Sequence, residues 1–235
     1  MSVVLDPVDV ICLTSGKCGS STLRETFIRN GFKCIKAHYK KDFIKQFNYD
    51  GLIDLINRSS KNKELYIIDS YRTPIERKIS SFFESIPNHT PNYKNIPTKE
   101  LIDTFNSRHL NTKEEYHSIN PIMEEYGLTP FDTFDFKKKY LVKKKGNLIF
   151  VKLLFSNINN WGENLSEIFN KKIDIYNGNI SKKKEYNTEY SKFKQMYKTK
   201  KSYINEILKN DTQFKIFNTP EEQEIYINKY LKDAT

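Results

Sequence analysis

The stretch Thr14-Ser15-Gly16-Lys17-Cys18-Gly19-Ser20-Ser21-Thr22 places two glycines, a lysine and several hydroxyls directly after the apolar run Val8–Leu13. A helical pattern opens at Ser20–Leu23. A strand, a tight loop and a helix N-terminus together make an anion cradle. Glycine lets the backbone approach closely, and the first helical N–H groups have no intrahelical acceptor. The helix dipole adds about half a positive charge at that point. A Walker A loop, G-x-x-x-x-G-K-[ST], carries its lysine last. Here Lys17 precedes the hydroxyls, so the stretch reads as a phosphate loop of another kind.

A second group of polar residues follows the third apolar run. Arg72 presents a planar fork of donors suited to a phosphate, and Ser80 stands eight positions on in the same segment, RTPIERKISSFF. Arg77 either supports that phosphate or pairs with Glu84. His38 ends the second apolar run and can serve as a general base if a hydroxyl lies within hydrogen-bond reach. His89, His109 and His117 fall on loops or helices and are weaker candidates.

These residues need a scaffold, and the hydrophobic pattern supplies one. Val8–Leu13, Phe32–Tyr39 and Glu64–Asp69 read as strands, with helices at Ser20 to Asn30-Gly31 and Asp42 to about Asn57. This alternation predicts an α/β fold with a mainly parallel central sheet flanked by helices. Ligands in such sheets gather at the carboxyl ends of strands, where Lys17, His38 and Arg72 all fall. Thr73-Pro74-Ile75-Glu76 reads as a helix start with a capping box. Ile75, Ile79, Phe82, Phe83 and Ile86 then form one apolar stripe, and Pro87 to Thr98 reads as an exposed loop.

Further helices are expected at Thr98–His109, Thr112–Tyr126 and Trp161–Phe169. Tyr140–Val142 and Leu148–Leu154 read as a hairpin or a return to the sheet, and Ile173–Tyr176 as a last strand. The segment from Lys184 to Lys232 is helical in pattern, which gives a helical C-terminal part. With no repeat and no linker, residues 1–235 are expected to form a single domain.

Composition narrows the function classes. At 235 residues the chain can bury a sizeable core, and although hydrophobic content is only 37%, 16 Phe and 15 Tyr supply large side chains for it. A formal charge of +10 favours an anionic partner such as a nucleotide, an acidic glycan or a nucleic acid. Cys12, Cys18 and Cys34 have no metal-ligand spacing, and no metal site is expected. No run approaches the ~18 apolar residues of a membrane span. Met1 to Asp9 lacks a basic leader, so a cytoplasmic location is expected. The lysine clusters at 137–139, 143–145, 182–184 and 198–201 read as solvated faces.

Taken together, the loop Gly16-Lys17-Cys18-Gly19-Ser20-Ser21-Thr22 and the Arg72/Ser80 pair resemble the two nucleotide motifs of sulfotransferases that use 3′-phosphoadenosine 5′-phosphosulfate (PAPS). In that family the first motif follows the first strand and holds the 5′-phosphosulfate. The second is an arginine with a serine eight residues on, and it holds the 3′-phosphate. The Arg72-x-Pro-x-x-Arg77 run and the order of the motifs are most like carbohydrate sulfotransferases and proteins of capsular polysaccharide synthesis. Asn177-Gly178-Asn179, leading to Lys184, Tyr186 and Tyr190, is similar to an Asn/Lys/Tyr segment near the cofactor in such proteins.

The resemblance implies a P-loop-like nucleotide-binding sulfotransferase architecture and transfer of a sulfuryl group from PAPS to a hydroxyl or amine, most readily of a carbohydrate. Adenosine 3′,5′-bisphosphate would be the product. Lys17 and His38 would be catalytic. Gly16, Lys17, Cys18, Gly19, Ser20, Ser21, Thr22, Arg72, Ser80 and Lys184 would bind the nucleotide. Two other readings stay open: a nucleotide-dependent phosphotransferase using Asp69 for magnesium, and a basic nucleic-acid-binding protein. The latter would show steep salt dependence but carries no recognised nucleic-acid motif.

Overall fold

The computed structural model describes residues 6–37, 49–109, 119–176 and 184–232. The chain divides into two compact units, Met1–Arg72 with His117–Asn179, and Thr73–Tyr116 with Ile180–Thr235.

The first unit is built on a five-stranded sheet. β1 (Val10–Leu13), β2 (Cys34–Ala37), β3 (Leu65–Tyr71), β4 (Tyr140–Lys145) and β5 (Leu148–Leu154) lie in the order β2-β1-β3-β5-β4. All pairings are parallel except β4 with β5. The segment 140–154 is therefore both a hairpin and a return to the sheet. Its two-residue turn has Gly146 at φ 56°, the positive φ that the first central position of a tight hairpin turn favours. β1, β3 and β5 are buried along almost their whole length, which explains their unbroken apolar runs. The chain leaves β1 for β2 on one side and returns to β3 on the other. The carboxyl ends of β1 and β3 therefore form the topological switch point of the sheet.

Helix α1 (Ser20–Arg29) follows β1, and α2 (Tyr49–Ser60) precedes β3. α1 ends as its sequence indicates: Gly31 takes φ 87°, its N–H bonds the Ile28 carbonyl at 3.0 Å, and the Phe32 N–H bonds the Phe27 carbonyl at 2.9 Å. This is a Schellman stop, sealed by the edge-on Phe27 and Phe32 rings 5.7 Å apart. Leu23 and Phe27 of α1, with Trp161 and Leu165, pack on Val10, Cys12, Ile68 and Val151, covering one face of the sheet. Ile28, which the helical pattern places beside them, is exposed instead.

The segment Ile173–Tyr176 forms no strand. Side chains hold it to its neighbours: Asn30 bonds the Asp174 carbonyl (2.9 Å) and N–H (3.2 Å), and Thr26 accepts the Tyr176 N–H at 3.0 Å.

The second unit is helical. α3 (Pro74–His89) and α4 (Thr98–His109) combine with α7 (Asn187–Met196), α8 (Lys201–Asn210), α9 (Phe214–Phe217) and α10 (Pro220–Tyr230). The intervening α5 (Asn120–Glu125) and α6 (Trp161–Phe169) belong to the first unit. The stripe Ile75, Ile79, Phe82, Phe83 and Ile86 is buried as expected, in a core that is largely aromatic. Phe193 is its hub, meeting Phe83, Phe105 and Tyr197 at ring distances of 5.2, 5.5 and 5.3 Å. α3 runs on through Pro87 to His89, past the expected loop start. Pro87 lies in the final turn, where it costs little of the ladder, and the Thr90 N–H still reaches the Ile86 carbonyl at 2.8 Å.

The capping box expected at 73–76 does not form. The Thr73 hydroxyl instead donates to Glu76 Oε2 at 2.6 Å, and the Ile75 N–H is taken by the Tyr226 hydroxyl at 2.8 Å. Glu76 Oε1 accepts from Lys229 at 2.6 Å. The reciprocal box occurs instead at Thr219-Pro220, where Thr219 accepts the Glu222 N–H (3.2 Å) and Glu222 accepts the Thr219 N–H (2.9 Å).

Candidate functional site

The loop between β1 and α1 occupies the β1 side of the switch point. Two of its residues are left-handed: Lys17 at φ 66° and Gly19, the N-cap of α1, at φ 88°. A lysine in this region is disfavoured by contact of its Cβ with the backbone, and such conformations persist only where neighbours enforce them. The enforcing contacts come from the end of β3. The Ser70 hydroxyl donates to the Cys18 carbonyl, and Arg72 Nη1 donates to the Lys17 carbonyl at 3.0 Å. The Arg72 guanidinium also lies 4.4 Å from the centre of the Phe155 ring, a cation–π contact that fixes its plane. Arg72 thus ties the two halves of the switch point together.

The two loop glycines have different roles. A Cβ on Gly19 would stand 2.8 Å from Cη2 of Trp161 and 3.3 Å from Cδ2 of Phe155, so only glycine fits there. Trp161 is itself held by its indole N–H on the Leu154 carbonyl at 2.9 Å. At Gly16 a Cβ would meet nothing within 4 Å.

Ser20 and Thr22 are buried and Ser21 is half-buried. No acid occupies the first turn of α1, and Gly19 has no side chain to cap it. The first turn of α1 therefore carries hydroxyls and no carboxylate. Cys18 is fully buried and its thiol lies 3.6 Å from the Gly16 carbonyl, so its side chain supports the loop from inside.

Lys36, absent from the sequence-derived site, belongs to this group. It is exposed on β2, and its ammonium donates to the Ser21 hydroxyl at 3.0 Å. The sequence hint is its place at the carboxyl end of the second strand, two residues before His38. Leu13 and Ala37 are level in the sheet, which sets the end of β2 beside the start of the loop. His38 itself lies outside the described residues.

Asp69 and Lys152, paired across β3 and β5, form an ion pair at 2.6 Å with both side chains fully buried. Burial pushes the Asp69 carboxyl up, against the pull of Lys152 and of backbone N–H groups of Ile119 and Ser70. A carboxylate so enclosed is committed to its lysine.

The remaining site residues lie in the second unit. Ser80 is half-buried on α3, and Arg77 is buried. Lys184 lies 3.6 Å from Glu84 and 5.7 Å from the Tyr186 ring. Lysines expected to be merely solvated are partly tethers: Lys143 donates to the Thr129 and Pro130 carbonyls at 3.1 and 2.8 Å, and Lys144 pairs with Glu64 at 2.6 Å. Among the described residues no cluster of His, Cys, Asp and Glu could hold a metal ion, and no helix is long and apolar enough to cross a membrane.

No family model matches the chain, and no curated protein and no solved structure matches it either.

Proposed function

We propose that the chain is a sulfotransferase that moves a sulfuryl group from PAPS to a hydroxyl or amine of an acceptor, most readily a carbohydrate. The observation that carries this reading is the geometry of the loop at the switch point. A left-handed Lys17, a helix N-terminus free of acids and Arg72, directly after β3, are drawn together there by hydrogen bonds through the Lys17 and Cys18 carbonyls.

The donor set suits a phosphosulfate. Its cations are Lys17, Lys36 and Arg72, its hydroxyls are those of Ser20, Ser21 and Thr22, and no carboxylate stands in residues 14–22 to repel an anion. PAPS, when bound, supplies an activated sulfuryl group on a phosphate leaving group. Lys17 would stabilise negative charge at the transferring end, as a positioned cation beside a helix N-terminus does. Gly16, Cys18 and Gly19 would lend backbone N–H groups. Arg72 would hold the 3′-phosphate, and Lys36 would steady Ser21. His38 keeps its sequence-derived role as the base that takes the acceptor proton.

The phosphotransferase alternative loses support because its magnesium acid, Asp69, is buried against Lys152. Calorimetric titration with adenosine 3′,5′-bisphosphate of the wild type and of Arg72→Ala tests the reading. Loss of one charge-assisted phosphate contact should weaken binding about 10–100-fold, whereas unchanged affinity in Arg72→Ala would overturn the assignment.

A further inference from the structure

Within the helical unit, a cavity of about 230 Å³ opens between the last turns of α3 and α4, lined by Phe82, Ser85, Ile86, His89, Thr90 and Arg108. It is smaller than the ~300–1,000 Å³ typical of drug-sized ligand pockets, so it suits one ring rather than a chain of them. Its chemistry is graded. Phe82 and Ile86 are almost wholly buried and form an apolar floor. Ser85, Thr90, His89 and Arg108 form the polar lining, and no acid is among them.

Arg108 lines the cavity, and among the described residues it forms no ion pair and no hydrogen bond. The Ser85 hydroxyl spends its proton on the Phe82 carbonyl at 3.0 Å, which leaves its lone pairs to accept from a ligand hydroxyl. An apolar floor, hydroxyl acceptors at the wall and one guanidinium at the rim match a pyranose ring that bears a carboxylate.

We propose that this cavity binds a single acidic sugar ring of the hexuronate type, with its carboxylate on Arg108 and its hydroxyls on Ser85, Thr90 and His89. A carboxylate on a planar guanidinium makes paired, charge-assisted hydrogen bonds, the main source of selectivity over a neutral sugar. An acidic sugar is one form that a carbohydrate acceptor can take. The binding claim nonetheless stands on the cavity alone, and its test uses no nucleotide, so either proposal can fail without the other.

The test is an NMR titration of the full chain with glucuronate, glucose, benzoate and inorganic sulfate. Glucuronate should bind at least ten-fold more tightly than glucose. Arg108→Gln, a change at an exposed side chain, should weaken glucuronate at least ten-fold while circular dichroism stays unchanged. Equal affinities for glucuronate and glucose, benzoate or sulfate binding as tightly as glucuronate, or an undiminished affinity in Arg108→Gln would each overturn the proposal.

Discussion

The sheet unit and the helical unit are stabilised by different materials. The sheet is aliphatic at its centre and encloses one buried ion pair, Asp69–Lys152. Among its described residues the helical unit has no sheet to order it, and it packs Phe83 and Phe105 edge to face on Phe193, with Tyr197 stacked against it. The residues with the strongest chemical claim, Lys17, Lys36 and Arg72, stand at strand ends of the first, where hydrogen-bonded backbone fixes them. The second unit offers a lined cavity instead. Precise placement of charge thus goes with the sheet, and shape goes with the helices.

The largest effects should come from the two centres. Phe193→Ala removes the hub ring and should cost about 3–5 kcal/mol in urea denaturation. Asp69→Ala strands a buried ammonium and should cost a similar ~3–5 kcal/mol, yet the double change Asp69→Leu with Lys152→Met should recover most of it, because a buried pair contributes little net stability over apolar residues. No such compensating pair exists for an aromatic hub, so recovery in one unit only would sharpen the contrast.

Next in size is the loop. Gly19→Ala drives a methyl into Trp161 at positive φ and should destabilise by about 1–3 kcal/mol, while Gly16→Ala should stay within about 0.5 kcal/mol. Equal losses would mean that the floor under the loop is not rigid.

The smallest effect is electrostatic. Lys144 and the Tyr66 hydroxyl hold the Glu64 carboxyl below its usual range. A depressed acid contributes stability that is present above the unfolded pKa and lost as pH falls through the folded one. Lys144→Met should therefore remove less than about 1 kcal/mol at neutral pH and nothing once pH falls below that window, as acid titration of stability would reveal.

Much of this architecture is legible in the amino acids, because it rests on local signals. The strand–loop–helix around Lys17, the Asn30-Gly31 stop and the helices Thr98–His109 and Trp161–Phe169 are set by periodicity and capping chemistry close in sequence. What the sequence hides depends on distant partners. Ile173–Tyr176 has the composition of a strand, but the side chains of Thr26 and Asn30 take the bonds a neighbouring strand would have made. Thr73 and Glu76 have capping-box spacing, but Tyr226 and Lys229 claim the groups first. Lys36 reads as an ordinary exposed strand residue until its reach to Ser21 is seen. At the site, the loop and Arg72 stand out in the sequence as candidate phosphate ligands, whereas the grip of Arg72 on the Lys17 carbonyl depends on a partner 55 residues away.

The central claim is that this loop and Arg72 serve a nucleotide carrying a separate 3′-phosphate. The most direct measurement is calorimetric titration of the wild-type chain with adenosine 3′,5′-bisphosphate and with AMP under the same conditions. The account predicts binding at least ten-fold tighter for the bisphosphate, about 1.4 kcal/mol or more. Equal affinity for the two nucleotides, or binding of neither, would contradict it.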